Sequence, residues 1–323
     1  MNKLSVTDVS IVIPFLDEAE SLPELYEQIM EVVLKSAWSY EIIFVDDGSH
    51  DDGWDFVRSI SKTNPFIKGI KFTRNYGKSQ ALHVGFELAQ GEVVFTMDAD
   101  LQDNPHELPV LYNKLINENL DIVSGWKKIR HDPLFGKTIP SKFFNWTARR
   151  FSGIPLNDFN CGLKAYNSKV VKRIDVFGEM HRYIPVIAKW QGFTKIGEKV
   201  VVHRSRKYGV TKFGLERFVF GFLDLLSISF VSKFKKSPMH FFGSLGTLSF
   251  VLGFFMTMYL LGHKQYCIYN HLPFRNVTDN PFFYLSLVAL MIGSQLFLAG
   301  FIGEMINIDS NKKDDYGIEE QVG

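Results

Sequence analysis

The sequence predicts an α/β domain built on a mostly parallel sheet with helices on both faces, followed by a membrane-associated C-terminal third. Three observations lead there. Short apolar runs alternate with helical segments over residues 1–125. Acidic turns follow the second and fourth of those runs, the first of them with Gly48. Two uncharged apolar stretches, Met239–Leu261 and Phe282–Ile302, come late in the chain.

Each element has its own signal. Val9–Phe15 (VSIVIPF) is a continuous apolar run, as expected of a strand buried on both faces. Ser21, with Glu24 three residues on, reads as a capping box that opens a helix running to about Ser36. Tyr40–Asp47 is the second strand, and a helix follows over about Asp52–Lys62. Ile67–Thr73 is the third strand, and Lys78–Gln90 a helix with Gly91 as its stop. Glu92–Asp98 is the fourth strand, Pro105–Asn119 a helix, and Asp121–Trp126 the fifth strand. Residues 126–212 are mixed and carry no clear period.

From Phe213 the character changes. Phe213–Phe234 is rich in Phe, Leu and Ile with interspersed charges, which reads as an amphipathic helix in a membrane interface. An ordinary core helix fits the same pattern. Each of the two apolar stretches that follow is long enough to cross a hydrocarbon core of about 30 Å. Lys233, Lys235 and Lys236 precede the first, and Lys312 and Lys313 follow the second. The intervening loop, about 262–280, has only Lys264 and Arg275. This bias puts both ends of the chain, and residues 1–212 with them, in the cytosol, and the expected residence is the plasma (inner) membrane. The expected division is 1–212, 213–236, 237–307 for the two spans, and a tail over 308–323.

The 323 residues carry 36 Lys+Arg against 35 Asp+Glu, so overall charge does not drive nucleic-acid binding. Cys161 and Cys267 lack metal-site spacing and make no disulfide framework. No signal-peptide pattern is visible at the N-terminus.

The stretch FTMDADLQDNP (Phe95–Pro105) gathers Asp98, Asp100 and Asp103 at a strand end. Like charges this close repel, so a cation belongs beside them. Ligands of such sheets bind beyond the carboxyl ends of the strands. Asp46, Asp47 and Asp98 all fall at that edge. A hard divalent ion, Mg²⁺ or Mn²⁺, held by one or two carboxylates and a diphosphate, answers the need. A solvated turn with helix-capping acids answers it too on these three residues alone.

The wider pattern weighs against that second reading. IVIPFLDEAESL, FVDDGSHDD, RNYGKSQALHVGF, MDADLQDNP, LNDFNCGLKAY and HRSRKYGVTKF together resemble a family 2 glycosyltransferase of the nucleotide-diphospho-sugar transferase (GT-A) fold. The chain is most similar to the polyprenyl- and dolichyl-phosphate sugar synthases, over residues 9–213, and the two-span tail suits bacterial members. The resemblance implies a hexosyltransferase. Pro14, Asp17, Glu18 and Asp46 would hold the nucleoside, Lys78 would reach the base or phosphate, and Asp98, Asp100 and Gln102 would form the metal and diphosphate site. Asp158 sits where such enzymes place an acidic residue near the acceptor. Lys164, Arg206, Lys212 and Lys127 are candidates for acceptor or donor phosphates, with Lys128 and Arg130 beside the last. Family members often have Arg at the position of Lys164, and a lysine cannot make a bidentate phosphate contact.

The implied partners are a nucleotide-diphospho-sugar donor, UDP-glucose first, a polyprenyl (undecaprenyl or dolichyl) phosphate acceptor and the lipid bilayer. A homo-oligomer is compatible with all of this. A processive polysaccharide synthase is the alternative enzyme, but KWQGF (Lys189–Phe193) is not the Q-x-x-R-W motif of that class. A non-catalytic sugar-lipid scaffold is the alternative outside enzymes, and intact Asp98 and Asp100 argue against it.

Overall fold

A computed structural model describes residues 7–128, 139–176, 178, 180–204, 207, 238–309 and 318–323. They fall into two compact units, one drawn from Met1–Ser227 with Asp315–Gly323 and one from Ile228–Asp314.

The first unit is an eight-stranded sheet. Its strands are β1 (Val9–Phe15), β2 (Tyr40–Asp46), β3 (Ile67–Phe72), β4 (Val93–Thr96), β5 (Ile122–Trp126), β6 (Lys164–Asn167), β7 (Ile196–Val200) and β8 (Ile318–Val322). They lie in the order β7-β5-β6-β4-β1-β2-β3-β8. The pairs β1–β2, β1–β4, β2–β3 and β5–β7 are parallel. The pairs β4–β6, β5–β6 and β3–β8 are antiparallel. The chain first builds outward from β1 through β2 and β3, then returns to place β4 on the other side of β1. That reversal is the switch point at which open α/β sheets bind ligands.

The helices are α1 (Leu22–Lys35), α2 (Gly53–Thr63), α3 (Lys78–Leu88), α4 (Leu108–Asn117), α5 (Ile139–Ser152), α6 (Ser168–Val171) and α7 (Ile184–Trp190). Both faces of the sheet are covered. Alternate residues of β1 go to opposite sides, Ile11 and Ile13 joining α1 and α4 in one core while Val12 joins α3 and α7 in the other. Burial on both faces is why residues 11–15, 42–45 and 93–95 read as apolar runs.

Three expectations about local signals change. Ser21 precedes α1, but its hydroxyl donates to Glu18 rather than forming a box with Glu24, which accepts from Gln28 and Lys207. Helix α3 ends at Leu88, short of Gly91. Gly91 is where the chain passes over β1, and a side-chain carbon there would meet the Ser10 nitrogen at 2.5 Å. The helix expected over 105–119 begins as a 3₁₀ turn, Pro105–Glu107, capped by the Asn104 side chain, before α4.

The second unit is a pair of helices, α8 (Pro238–Tyr269) and α9 (Pro281–Asp309), with a 3₁₀ turn at Val277–Asp279. The Ser249 hydroxyl donates to the Ala289 carbonyl at 2.9 Å, and Thr257 bonds Ser286 at 3.0 Å, so polar groups meet between the helices. Within them Met239–Tyr269 and Pro281–Met305 are long and apolar enough to cross a membrane. At 1.5 Å per residue, 31 and 25 residues give about 46 and 37 Å. The first helix runs eight residues beyond the apolar stretch read from the sequence, through His263 and Lys264. The interfacial helix expected over 213–236 lies outside the described residues.

Candidate active site

The site is built where β1 and β4 end. Asp98 leaves the sheet two residues after β4, between Pro14 of β1 and the turn before β6. Met97 still pairs with β1, its N–H donating to the Val12 carbonyl at 3.2 Å. Thr96 Oγ1 donates to the Gly162 carbonyl at 2.8 Å and ties the other flank. Gly162 lies directly against the Asp98 carboxylate. A Cβ there would stand 2.5 Å from it, so only glycine leaves the carboxylate its place.

Lys78 is the first residue of α3 and its ammonium pairs with Asp98 Oδ1. Asp47 sets up that helix start, accepting from the Tyr76 N–H at 2.7 Å and the Gly77 N–H at 3.0 Å. Burial pushes Asp98 up, but Lys78, then Lys127 and Lys164, outweigh it and hold the carboxyl well below its usual range. Asp98 is therefore an anion at neutral pH. Asp100 follows on the same loop, and its Oδ1 accepts from the Gln102 N–H at 3.2 Å. Leu101 between them is in the left-handed region, φ 60°, which turns the loop back.

Pro14, Lys78, Asp98 and Lys164 line one cavity, shared with Asn160, His181 and Arg182. Four of the residues read from the sequence thus converge. Lys164 is buried, and its ammonium donates to the Phe159 carbonyl at 3.3 Å and to that of Cys161. It holds the Phe159–Cys161 turn from within, and burial lowers its pKa. Lys127 pairs with the buried Asp103 at 2.7 Å, so its charge is already engaged beside the loop. Asp158 is 1 % exposed, with Oδ1 accepting from the Asn160 N–H at 3.0 Å. Burial pushes the neighbouring Cys161 thiol up to about 12, so it is an inert packing group.

The remaining candidates form the rim. Asp17, at φ 52°, accepts from the His50 N–H at 2.9 Å and joins the loops after β1 and β2. Glu18 accepts from the Ser21 hydroxyl at 3.0 Å. Asp46 Oδ1 accepts from the Ser49 N–H at 2.7 Å. Its Oδ2 is buried with no hydrogen-bond partner among the described residues. An orphan acceptor of that kind is costly unless a ligand N–H or O–H completes it. Arg130, Arg206 and Lys212 lie outside the described residues.

Sequence reasoning missed His181 and Arg182. Burial, then Lys78, lowers the His181 pKa, so the ring is neutral at pH 7. It is fixed by Ser79, whose hydroxyl accepts from the His181 N–H at 3.0 Å and bonds Nδ1 at 3.2 Å. The one available signal was a polar His-Arg pair separated by Tyr183 from the apolar run in α7.

Asp98 and Asp100 offer hard oxygen donors on one turn, the donor type of Mg²⁺ or Mn²⁺. No group of three or more His, Cys, Asp or Glu among the described residues could hold a metal alone. The residues fit an ion that takes its other ligands from a diphosphate and water.

Most of the chain is similar to known proteins. Residues 10–175 match the model of Glycosyl transferase family 2. The chain is 34% identical over 301 residues to a dodecaprenyl-phosphate galacturonate synthase of Rhizobium johnstonii, covering 93% of this chain and 87% of that one. It is 30% identical over 307 residues to an undecaprenyl-phosphate 4-deoxy-4-formamido-L-arabinose transferase of Aeromonas hydrophila, covering 95% and 90%. Among solved structures, mannosyl-3-phosphoglycerate synthase of Rubrobacter xylanophilus superposes with a TM-score of 0.58 at 13% identity, covering 70% of this chain and 75% of that one. Glucosyl-3-phosphoglycerate synthase of Mycobacterium tuberculosis, in complex with Mn²⁺, UDP-glucose and phosphoglyceric acid, superposes at 0.54 and 16%, covering 70% and 79%. Those two likenesses concern the fold, which is GT-A.

Proposed function

The chain belongs to glycosyl transferase family 2, and on that premise we propose that it moves a sugar from a nucleotide-diphospho-sugar to a polyprenyl phosphate at a membrane surface. One observation carries the reading. An ionised Asp98 sits at the switch point of the sheet, in a cavity shared with Lys78 and Arg182, in a chain with two helices long and apolar enough to cross a membrane.

The donor's nucleoside lies along the rim of Pro14, Asp17, Glu18 and Asp46, where Asp46 Oδ2 lacks a partner among the described residues. Asp98 and Asp100 would hold the Mg²⁺ or Mn²⁺, with Gln102 beside them. A bound metal supplies neutralisation of the charge that gathers on the departing diphosphate. Lys78 can exchange its pairing with Asp98 for a diphosphate oxygen. An oxygen of the lipid phosphate forms the new bond to the anomeric carbon as the bond from that carbon to the diphosphate breaks. A single displacement of this kind inverts the configuration. A phosphate monoester loses its second proton near pH 6, about the ordinary value, so the acceptor needs no general base at neutral pH. Asp158, braced and buried, orients the acceptor side instead. The acceptor is undecaprenyl or dolichyl phosphate. UDP-glucose is the first donor to try, and the relatives named for galacturonate and formamido-arabinose transfer widen the choice. The catalytic unit and both termini lie on the cytosolic face of the inner membrane.

The test is turnover by the purified full chain with undecaprenyl phosphate and a panel of labelled donors. The panel includes UDP-glucose, UDP-N-acetylglucosamine, GDP-mannose, nucleotide-activated galacturonate and nucleotide-activated 4-deoxy-4-formamido-L-arabinose. One donor should yield a labelled lipid. Chelator should abolish that product, and Asp100→Asn should lower it about 100-fold or more while the protein still inserts in membranes. No product from any donor would overturn the reading.

A further inference from the structure

One seven-residue stretch, Glu198–Arg204, grips both loops that carry the acidic residues of the site. At its start, in β7, the Glu198 carboxylate collects three donors from the turn before Asp158. Oε1 accepts from the Asn157 N–H at 2.7 Å and the Asp158 N–H at 3.0 Å, and Oε2 from the Asn157 side-chain amide at 2.7 Å. At its end, the stretch is zipped onto the loop that carries Asp98, Asp100 and Gln102. Asp103 and His203 form an antiparallel bridge, and the Arg204 N–H donates to the Gln102 carbonyl at 3.0 Å. The Arg204 guanidinium then forks. One nitrogen donates to Asn104 Oδ1 and another to Gln28 Oε1 of α1, each at 3.0 Å. Asn104 is the side chain that caps the 3₁₀ turn following the acidic loop. Between the two grips, β7 pairs with β5, and the Val201 N–H donates to the Trp126 carbonyl at 3.1 Å, so the stretch is itself anchored in the sheet.

We propose that Glu198 and Arg204 are positioning residues, Glu198 for the acceptor-side turn at Asp158 and Arg204 for the metal and diphosphate loop, and that the sheet-anchored segment between them keeps the two halves of the site in register. The inference rests on the function proposed above. The physical need is plain. Both loops are irregular, and one turns through a left-handed Leu101. Irregular backbone holds a reactive geometry only when neighbouring groups over-determine it. A misplacement of about 1 Å between reacting groups can cost about 100-fold in rate. Guanidinium suits the Arg204 position because its rigid planar fork holds two acceptors on two elements in a fixed geometry, whereas an ammonium is a point donor on a flexible stem. Neither residue lines the cavity, so each acts through the loop it holds.

The full-length protein in detergent tests this with two readouts. Mn²⁺ binding is followed by the loss of the free-ion EPR signal, with UDP and GDP in parallel as nucleotide probes. Polyprenyl-phosphate KM and kcat are measured with whichever donor turns over. Arg204→Ala should weaken Mn²⁺ binding about 10-fold and leave the acceptor KM within about 2-fold. Glu198→Ala should raise the acceptor KM or lower kcat about 10-fold and leave Mn²⁺ binding within about 2-fold. Arg204→Lys, which keeps the charge and one donor direction, should fall between wild type and Arg204→Ala. Gln28→Ala, which removes one of the two acceptors, should do the same and serves if Arg204→Ala does not fold. General loosening of the unit would move both readouts together in each variant, and that result overturns the proposal. So does a well-folded pair of variants in which neither readout moves. A wild-type protein that binds no Mn²⁺ with either nucleotide would overturn the metal-assisted reading itself, and the assignment of Arg204 with it.

Discussion

Asp47 and Asp98 are both carboxylates at strand ends, yet their surroundings push them opposite ways. Asp98 keeps its charge because Lys78 pairs with it. Asp47 is 5 % exposed and faces backbone N–H groups, with Asp46 as its chain neighbour. Burial raises it from 3.8 to about 6, against the pull of the Tyr76 and Gly77 N–H groups. The sign of the consequence follows from proton counting. Between those two values the folded chain holds a proton that the unfolded chain has released. Stability from this group is therefore fully present below about pH 4 and is lost as pH rises through about 6. Asp47→Asn keeps an oxygen for the two N–H groups and removes the titration. The thermal midpoint of wild type minus that of the variant should fall between pH 4 and 6 and be flat above pH 7. A difference independent of pH would show that Asp47 is already ionised throughout. The same contrast explains what was legible at this scale. Asp98 and Lys78 could be placed together because each follows an apolar run and strand ends share an edge, while Pro14 was implied by the family resemblance. His181 and Arg182 could not, since what brings them to the cavity is the return of a segment about a hundred residues later, held by Ser79.

Among the elements, β1, β2 and β4 announce themselves because burial on both faces demands mostly apolar residues, and β3 and β5 through their place in the strand–helix alternation. The last three strands do not. β6 is four residues long and opens with a lysine whose stem is buried. β7 is half exposed. β8 has the sequence IEEQV, and its strand character comes from its partners. Glu320 accepts from Arg58 Nε at 2.8 Å and Trp54 Nε1 at 2.9 Å, Glu319 pairs with Lys71 at 3.3 Å, and Val322 packs on the core. No local pattern records such a set. The Arg58 hydrogen bonds hold Glu320 down at about 2. Its contribution is therefore present above the ordinary glutamate value and is lost only as pH falls through about 2. At neutral pH the clasp is intact, and Glu320→Ala should open it. Amide exchange over Ile318–Val322 should rise several-fold in the variant while exchange in β1 and β2 stays put. Unchanged exchange at the C-terminal strand would show that the ladder with β3 and the Val322 contact suffice without the carboxylate.

The connectivity of the whole chain constrains how it meets a membrane. β7 comes before the two apolar helices and β8 after them, and both belong to one hydrogen-bonded sheet. A sheet of this kind cannot be shared across a bilayer, because its edges and polar rim need water or protein partners. The chain that leaves the sheet after β7 must return to the same side before β8, so the number of crossings is even. Two helices of sufficient length meet that condition, and one would not. The proposed orientation, with the sheet in the cytosol, rests on lysines at 233, 235, 236, 312 and 313 against Lys264 and Arg275 in the connecting loop. Cys267 is a poor reporter of the far side, since it is 5 % exposed and lies 3.8 Å from His263. Tyr269 at the end of the same helix is 84 % exposed, and Val202 in the catalytic unit is 57 % exposed. In a Cys267→Ser background, a membrane-impermeant maleimide applied to intact spheroplasts should label Tyr269→Cys and spare Val202→Cys. Permeabilisation should expose both. Labelling of Val202→Cys in sealed cells would reverse the orientation. Labelling of both there would show that α8 does not cross between them, which overturns the two-crossing topology.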